Sequence, residues 1–137
     1  MQQSSEVFFA SSNEHKFEEA QRILSTLGVN IKLFKTTLEE IQSNSLNEIA
    51  KRKAIDAFTK IQKPILIEDD GLFINSLNGF PGPYSSYAYD TIGNTGIIQL
   101  LENTELRDAK FVAIIAYCNG IDEVKLFESS IPGKISK

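Results

Sequence analysis

A phosphate-binding pattern follows the first apolar run of the chain, Val7–Ala10. It consists of consecutive polar residues: Ser11, Ser12, Asn13, Glu14, His15 and Lys16. Serine and asparagine are typical helix caps, and Ser11 with Glu14 has the spacing of a capping box. The pattern predicts a helix N-terminus, whose backbone N–H groups and dipole attract anions, with Lys16 beside a bound phosphate. An ordinary capped helix with a solvated lysine fits the same residues.

A second cationic candidate is Lys53, in a segment whose apolar residues recur at helical spacing. A capping-box pattern predicts that this helix runs from about Leu46 to Ile61. Lys53 falls on the apolar stripe of the helix, whereas Lys51 and Arg52 fall outside it. Because an unpaired buried ammonium is costly, Lys53 must either extend its stem to water or meet an anion. The spacing leaves both alternatives open.

An acidic cluster follows the apolar run Ile65–Ile67 and consists of Glu68, Asp69 and Asp70, then Gly71. The pattern predicts that these acids end a buried strand, where ligands gather in α/β sheets. Adjacent carboxylates repel one another, so a cation or basic groups must offset them. Mg²⁺ prefers carboxylate and phosphate oxygens, and Glu40, after the second predicted strand, offers a further carboxylate. A solvated acidic turn is the alternative.

Taken together, these residues predict chemistry on a nucleotide or a polyphosphate. A helix end and two lysines would attract phosphates, and the carboxylates would hold a divalent cation. Positioning and charge neutralisation carry much of the catalysis in such reactions. The residue types and their spacing alone do not indicate a more specific function.

Predicted strands and helices alternate along the sequence, which predicts an α/β fold. Helices are expected from Asn13 to about Gly28, from Leu46 to Ile61, and from Gly96 to Glu102. The predicted strands are Val7–Ala10, Val29–Phe34, Ile65–Ile67, and a hairpin of Phe111–Tyr117 with Glu123–Ser129 across Asn119-Gly120.

Composition narrows the class of protein. The 137 residues are 42% hydrophobic and 23% charged, which suits a single globular domain or one large piece of one. The net charge of 14 − 18 = −4 argues against a protein that binds nucleic-acid backbones non-specifically. Cys118 is the only cysteine and lies in an apolar run, so we expect a buried thiol and neither a disulfide nor a zinc site. The sequence shows no signal-peptide pattern and no membrane-length apolar run, which predicts a cytoplasmic location.

Several motifs resemble those of the inosine triphosphate pyrophosphatase family. Ser-Ser-Asn-Glu-His-Lys at 11–16 resembles its (Ser/Thr)-Gly-Asn-x-x-Lys signature, with Ser12 in place of glycine. Glu40-Ile-Gln is similar to its acidic motif. Glu68-Asp-Asp-Gly-Leu, with Asn78-Gly-Phe-Pro-Gly-Pro-Tyr-Ser-Ser-Tyr, resembles its central signature, which is long and specific. The resemblance extends from about Val7 to Ile135.

The resemblance implies a long mixed β-sheet flanked by helices, in two lobes with the active cleft between them, and a homodimer. It implies hydrolysis of non-canonical purine nucleoside triphosphates, such as those of inosine and xanthosine, to the monophosphate and pyrophosphate. The negative net charge and the lack of a membrane-length apolar run, in contrast, are what predict no nucleic-acid or membrane partner.

The resemblance also implies a role for each matched residue. Asp69 would be the general base and a Mg²⁺ ligand, with Glu40 and Glu68 completing the metal site. The phosphates would lie against residues 11–16 and Lys53. Asp70, Gly71 and Ser86 would line the substrate cleft. A side chain at Ser12, where the family has glycine, predicts weaker phosphate binding.

Members of this family continue into a Gly-(Phe/Tyr)-Gly-(Tyr/Trp)-Asp-Pro motif and a late Ser-His-Arg, which this sequence lacks. We therefore expect residues 1–137 to form a pyrophosphatase-like domain that is incomplete at its C-terminus. The alternative hypothesis is a truncated nucleotide-binding or dimerising remnant with little or no catalytic activity.

Overall fold

The computed structural model describes residues 6–137, in which strands alternate with helices. The strands are β1 (Val7–Ser11), β2 (Ile31–Lys35), β3 (Ile65–Ile74), β4 (Pro81–Gly82), β5 (Asp108–Cys118) and β6 (Val124–Lys134). The helices are α1 (Glu14–Ser25), α2 (Leu46–Ile61), α3 (Ser85–Thr91) and α4 (Gly93–Leu100), and a short 3-10 turn spans Asn75–Leu77. None of the helices within residues 6–137 has the length and apolar character needed to cross a bilayer.

The strands form a sheet in the order β2-β1-β3-β5-β6, and β4 pairs with β3. The first strand, β1, is parallel to both of its neighbours, β2 and β3, whereas β3 and β4 are antiparallel. The sheet is therefore mixed. The predicted α/β fold, with a mixed sheet flanked by helices, is confirmed.

The chain forms two compact units. The first contains residues 6–42, 47–68 and 115–127. Its core includes apolar side chains of β1, β3 and α2, among them Phe9, Ile67, Ile49 and Ala54. The ring of Phe17 on α1 lies 6.2 Å from that of Phe9. Cys118 is buried, as its apolar surroundings predict.

The second unit contains residues 43–46, 69–114 and 128–137. Its core includes Ile74 of β3, Ile97 of α4, and Leu101 and Ala109 on either side of a loop. The buried Arg107 donates hydrogen bonds to the backbone carbonyl groups of Thr104, Ser136 and Leu101. A cation fits at this place because the carbonyl groups at the end of α4 carry the negative end of the helix dipole.

The structure corrects the prediction for the acidic cluster. Glu68, Asp69 and Asp70 lie inside β3, which continues to Ile74, and they do not end the strand or form a turn. Burial alternates from Ile65 to Gly71, so that Asp69 lies on the buried side and its two acidic neighbours are half-buried. Alternation through a strand lets the chain carry adjacent carboxylates, because successive side chains point to opposite faces.

Other boundaries differ less. Strand β1, helix α2 and the adjacent strands β5 and β6 lie where the sequence predicts them. The connection between β5 and β6, residues 119–123, is longer than the predicted two-residue turn, and the N–H of Asn119 donates to the carbonyl group of Glu123. The N-cap of α1 is Asn13, so the predicted capping box with Ser11 as the cap is wrong.

Candidate active site

In the first unit, the parallel strands β1 and β2 and residues 65–68 of β3 bring several of the predicted site residues to one edge of the sheet. The register pairs Ser11, the last residue of β1, with Lys35, the last residue of β2. On the other side of β1, Phe9 pairs with Leu66 of β3, so the same register sets Ser11 level with Glu68. Ligands gather at the carboxyl ends of parallel strands, which makes this edge the candidate site.

The start of α1 is built by local hydrogen bonds. The side-chain oxygen of Asn13 accepts from the backbone N–H groups of His15, at 3.0 Å, and Lys16, at 3.4 Å. The hydroxyl of Ser11 in turn accepts from the N–H of Asn13. Ser12 is exposed, and its φ angle is not positive. Among the described residues other than glycine, only Gln62 and Asn78 have a positive φ. The backbone at Ser12 therefore does not require the glycine that the family has there.

Lys16 is bound to the acidic cluster. Its ammonium donates to Oε1 of Glu68 at 2.9 Å, and the two side chains are 35% and 20% exposed. The contact joins the first turn of α1 to β3 across a separation of 52 residues. A lysine predicted for phosphate and an acid predicted for the metal site thus neutralise each other.

Lys53 shows the same arrangement. Its side chain is only 16% exposed, and its Nζ lies 3.5 Å from Oε1 of Glu40, which is 60% exposed. Of the two alternatives that the helical pattern leaves open, the structure shows that the ammonium meets an anion. Lys51 and Arg52 are exposed, as predicted for residues outside the apolar stripe.

The segment that carries Glu40 is held against α2 by residues that the sequence analysis did not identify. The carboxylate of Asp56 accepts from the backbone N–H of Glu39 at 2.9 Å. Lys60 donates to the carbonyl oxygen of Thr37 at 2.8 Å, and its Nζ lies 3.4 Å from the Asp56 carboxylate. Asp56 and Lys60 have the i,i+4 spacing of a surface pair, which gives no sign of a contact with a distant segment.

Glu14 and His15 lie on the exposed side of the helix start. The ammonium of Lys35 donates to the Glu14 carboxylate at 3.0 Å. This hydrogen bond and the positive charge of Lys35 lower the pKa of the Glu14 carboxyl. His15 lies 3.7 Å from the carboxylate of Glu18, and the His15 side chain is 93% exposed. Both residues are therefore at the surface of the predicted phosphate site.

The other two acids of β3, Asp69 and Asp70, belong to the second unit. Asp69 is 8% exposed, and its Oδ1 accepts a hydrogen bond from the backbone N–H of Asp70. Asp70 is half-buried on the opposite face of the strand. Asp69 is therefore the acid of this cluster with the least access to bulk water.

Gly71 lies where two backbone segments approach closely. A Cβ on Gly71 would collide with the carbonyl group of Gly82, in the strand that pairs with β3. The hydroxyl of Ser85 accepts from the N–H of Leu72 at 2.8 Å and donates to the Gly82 carbonyl at 2.6 Å. Ser85, the first residue of α3, thus links this helix to both β3 and β4. Ser86, which the resemblance implies in substrate binding, is exposed.

The acidic side chains of the candidate site are of the type that binds a hard divalent cation. Glu40, Glu68 and Asp69 offer carboxylate oxygens, which suit Mg²⁺. Within residues 6–137, no three His, Cys, Asp or Glu side chains come close enough to hold a metal by themselves. Mg²⁺ is commonly bound through one or two carboxylates together with waters and substrate phosphates, so a protein cage is not required.

The comparisons with known proteins agree on one family. The sequence model of the Ham1 family matches residues 7–137. The chain is 43% identical over 131 residues to the dITP/XTP pyrophosphatase of Methanopyrus kandleri, covering 96% of this chain and 70% of that protein. It is 42% identical over 131 residues to the dITP/XTP pyrophosphatase of Korarchaeum cryptofilum, with the same coverage, 96% and 70%.

Solved structures show the same fold. The Ham1 protein of Staphylococcus aureus superposes with a TM-score of 0.79 at 28% identity, covering 96% of this chain and 72% of that one. A HAM1 protein from Coxiella burnetii gives a TM-score of 0.79 at 25% identity, covering 96% and 73%.

Proposed function

The chain belongs to the Ham1 family, and from that premise we propose that it hydrolyses non-canonical purine nucleoside triphosphates to the monophosphate and pyrophosphate. It is a nucleoside-triphosphate pyrophosphohydrolase, and its substrates are the triphosphates of inosine, deoxyinosine and xanthosine. Removal of these nucleotides cleanses the pool from which nucleic acids are made.

The two lysine–glutamate pairs are the observation that carries the assignment of the site. Lys16 with Glu68 and Lys53 with Glu40 supply two cations and two carboxylates within the first unit. A triphosphate needs cations for its oxygens, and an accompanying Mg²⁺ needs carboxylates. The two lysines and the N–H groups at the start of α1 bind the phosphates, and residues 11–15 form the surface around them.

Asp69 acts as the general base. Hydrolysis between the α- and β-phosphates requires a water molecule to lose a proton as it attacks phosphorus. A carboxylate within hydrogen-bond reach of that water can accept the proton. The backbone N–H of Asp70 fixes one oxygen of Asp69, which orients the side chain. Asp70, Gly71 and Ser86 line the substrate cleft in this proposal.

Glu40 and Glu68 would hold Mg²⁺ together with oxygens of the triphosphate, whereas Asp69, which the resemblance also implies as a ligand, points to the opposite face of β3 from Glu68. When bound, the ion would offset the negative charge that develops on the phosphate oxygens. The protein residues keep separate tasks: the glutamates supply oxygens to the cation, the lysines bind phosphate oxygens, and Asp69 takes the proton.

Pyrophosphate release from inosine, xanthosine and adenosine triphosphates, with and without Mg²⁺, tests the proposal. We expect Mg²⁺-dependent turnover with a higher kcat/KM for inosine and xanthosine than for adenosine. A monophosphate and pyrophosphate must appear in equal amounts. Nucleotide binding without pyrophosphate release would support the alternative, a nucleotide-binding protein without turnover.

The homodimer, the cytoplasmic location and the absence of nucleic-acid and membrane partners stay predictions from the sequence and the resemblance. Light scattering of the purified protein tests the first, because a dimer has twice the mass of the 15.3 kDa chain. Cell fractionation tests the second.

A further inference from the structure

The cations and carboxylates of the proposed site are bound to each other in this structure. Lys16 donates to Glu68 at 2.9 Å, and Lys53 lies 3.5 Å from Glu40. The buried parts of these side chains make the pairing costly to break, because Lys53 is only 16% and Glu68 only 20% exposed. A group that takes one member of a pair must displace the other.

This pairing couples the binding of the two components of the substrate. A cation that takes Glu68 alone must break the Lys16 contact, and a triphosphate that takes Lys16 alone must break the same contact. When both arrive, the contact is broken only once, so each component lowers the cost of binding the other. The pair at Lys53 and Glu40 adds to this coupling in the same way.

We infer that the two lysine–glutamate pairs exchange partners on binding, so that the site takes the cation and the triphosphate together and each one weakly alone. This inference rests on the proposed function and specifies how its site selects a metal-complexed triphosphate. The absence of a three-ligand metal cluster in the described residues, 6–137, agrees with it, because the triphosphate must complete the coordination.

Metal binding to the nucleotide-free protein is the first test. Mn²⁺ is the probe, because free Mn²⁺ is measured directly by electron paramagnetic resonance. We expect Lys16→Met to bind Mn²⁺ about two- to fivefold more tightly than the wild type, the size of one partly exposed ion pair. Lys53→Met should change the affinity in the same direction, because it releases Glu40.

The control is Lys35→Met, which removes the same charge from the same edge of the sheet. Lys35 pairs with Glu14 and does not hold either glutamate of the proposed metal site. Salt at about 0.15 M screens long-range charge effects. An equal gain in Mn²⁺ affinity for the Lys35 and Lys16 variants would mean that only net charge matters, and would overturn the inference.

The anionic component provides a second test. Calorimetry with α,β-methylene inosine triphosphate in EDTA measures binding without a metal and without hydrolysis. Glu68→Gln should bind this analogue about two- to fivefold more tightly than the wild type, because binding to Lys16 no longer requires the ion pair with Glu68 to be broken. Glu6→Gln is the matched control, because Glu6 pairs with Lys32 and neither residue belongs to the proposed site. Adding Mn²⁺ should then strengthen analogue binding more in the wild type than in Lys16→Met.

The outcomes separate the exchange of partners from the reaction itself. If the wild-type protein hydrolyses its substrate but Lys16→Met binds Mn²⁺ with the affinity of the wild type, the exchange is refuted and the proposed function is left intact. Absence of turnover combined with the expected affinity changes would refute the function and leave the exchange intact. Circular dichroism verifies that each variant is folded, and Lys16→Gln replaces Lys16→Met if that variant does not fold.

Discussion

At the scale of single residues, the chemistry depends on how each charged side chain is neutralised. Lys53 shows this most clearly, because its helical position predicts only that it needs either water or an anion. The structure gives it Glu40. Lys16 and Glu68 form a comparable pair from residues that no local pattern connects. The sequence shows a charged residue at each of these positions, but the pairs form between segments that are distant in sequence, which no local pattern encodes.

Asp69→Asn should lower pyrophosphate release by about a hundredfold or more, as expected for loss of a general base. The substitution nearly preserves the shape of a side chain that is 8% exposed, so the protein should remain folded. Initial rates with inosine triphosphate and a far-ultraviolet circular dichroism spectrum measure the two effects. Asp90→Asn, on the exposed surface of α3, is the control. Rates like those of the wild type in Asp69→Asn would exclude Asp69 from the mechanism.

Lys53→Met should raise KM or lower kcat while the protein remains folded. Methionine keeps the packing of the lysine stem on the apolar stripe of α2 and removes only the charge. Steady-state kinetics with inosine triphosphate measure the change. Lys51→Met removes an exposed charge from the same helix and should leave both constants unchanged. Unchanged kinetics in Lys53→Met as well would mean that its ammonium does not act on the substrate.

At the scale of secondary structure elements, regular patterns are predictable and contacts between distant segments are not. The apolar stripe of Leu46–Ile61 gives the bounds of α2 because a helix buries one face at a fixed period. The end of β3 is mispredicted because the three acids suggest exposure, whereas alternation allows Asp69 to lie on the buried side. Helix α3 was not predicted, since it follows directly on a turn rich in glycine and proline.

The anchoring of the segment before α2 gives an element-scale prediction. Asp56→Ala removes the acceptor for the Glu39 N–H and should free the segment that carries Glu40. We expect a several-fold higher Mg²⁺ concentration for half-maximal rate and a loss of about 1 kcal/mol in the free energy of unfolding, the usual net value of a hydrogen bond. Magnesium titrations of activity and urea unfolding measure these quantities.

The control for this prediction is Thr59→Ala. Thr59 donates only to the carbonyl group of Ile55 within the helix, so its loss leaves the anchored segment in place. Lys60→Met removes the second anchor, at the Thr37 carbonyl, and should raise the Mg²⁺ requirement in the same direction as Asp56→Ala. An unaltered Mg²⁺ requirement in both anchor variants would show that the segment does not position Glu40.

The close approach of β3 and β4 gives a second element-scale prediction. Gly71→Ala should lower the free energy of unfolding by about 1–3 kcal/mol, because its methyl group meets the Gly82 carbonyl. Gly133→Ala is the matched control in a strand, since a Cβ there meets nothing within 4 Å. Urea unfolding of both variants measures the difference. Equal stability would mean that the backbone at Gly71 can shift at no cost.

At the scale of the whole molecule, net charge and local charge act in opposite directions on phosphate ligands. The chain carries 14 basic and 18 acidic residues, a net charge of −4, which repels a long polyanion. The lysines of the proposed site are few, and acids neutralise them while no ligand is present. A short triphosphate that arrives with its own cation avoids most of the repulsion, whereas a nucleic-acid backbone does not.

We therefore expect the protein to bind a single nucleotide more tightly than a nucleic acid, and we expect charge, not shape, to cause the difference. Duplex DNA should bind more weakly than about 10⁻⁴ M at physiological salt, the weak limit of non-specific binding. Fluorescence anisotropy with a labelled duplex measures this affinity, and α,β-methylene inosine triphosphate with Mn²⁺ shows that the same preparation binds its nucleotide. Lowering the salt concentration should not recover DNA binding, because weaker screening also strengthens repulsion by the net negative surface. Micromolar binding to DNA that weakens steeply with salt would instead reveal a basic surface that the charge distribution does not predict.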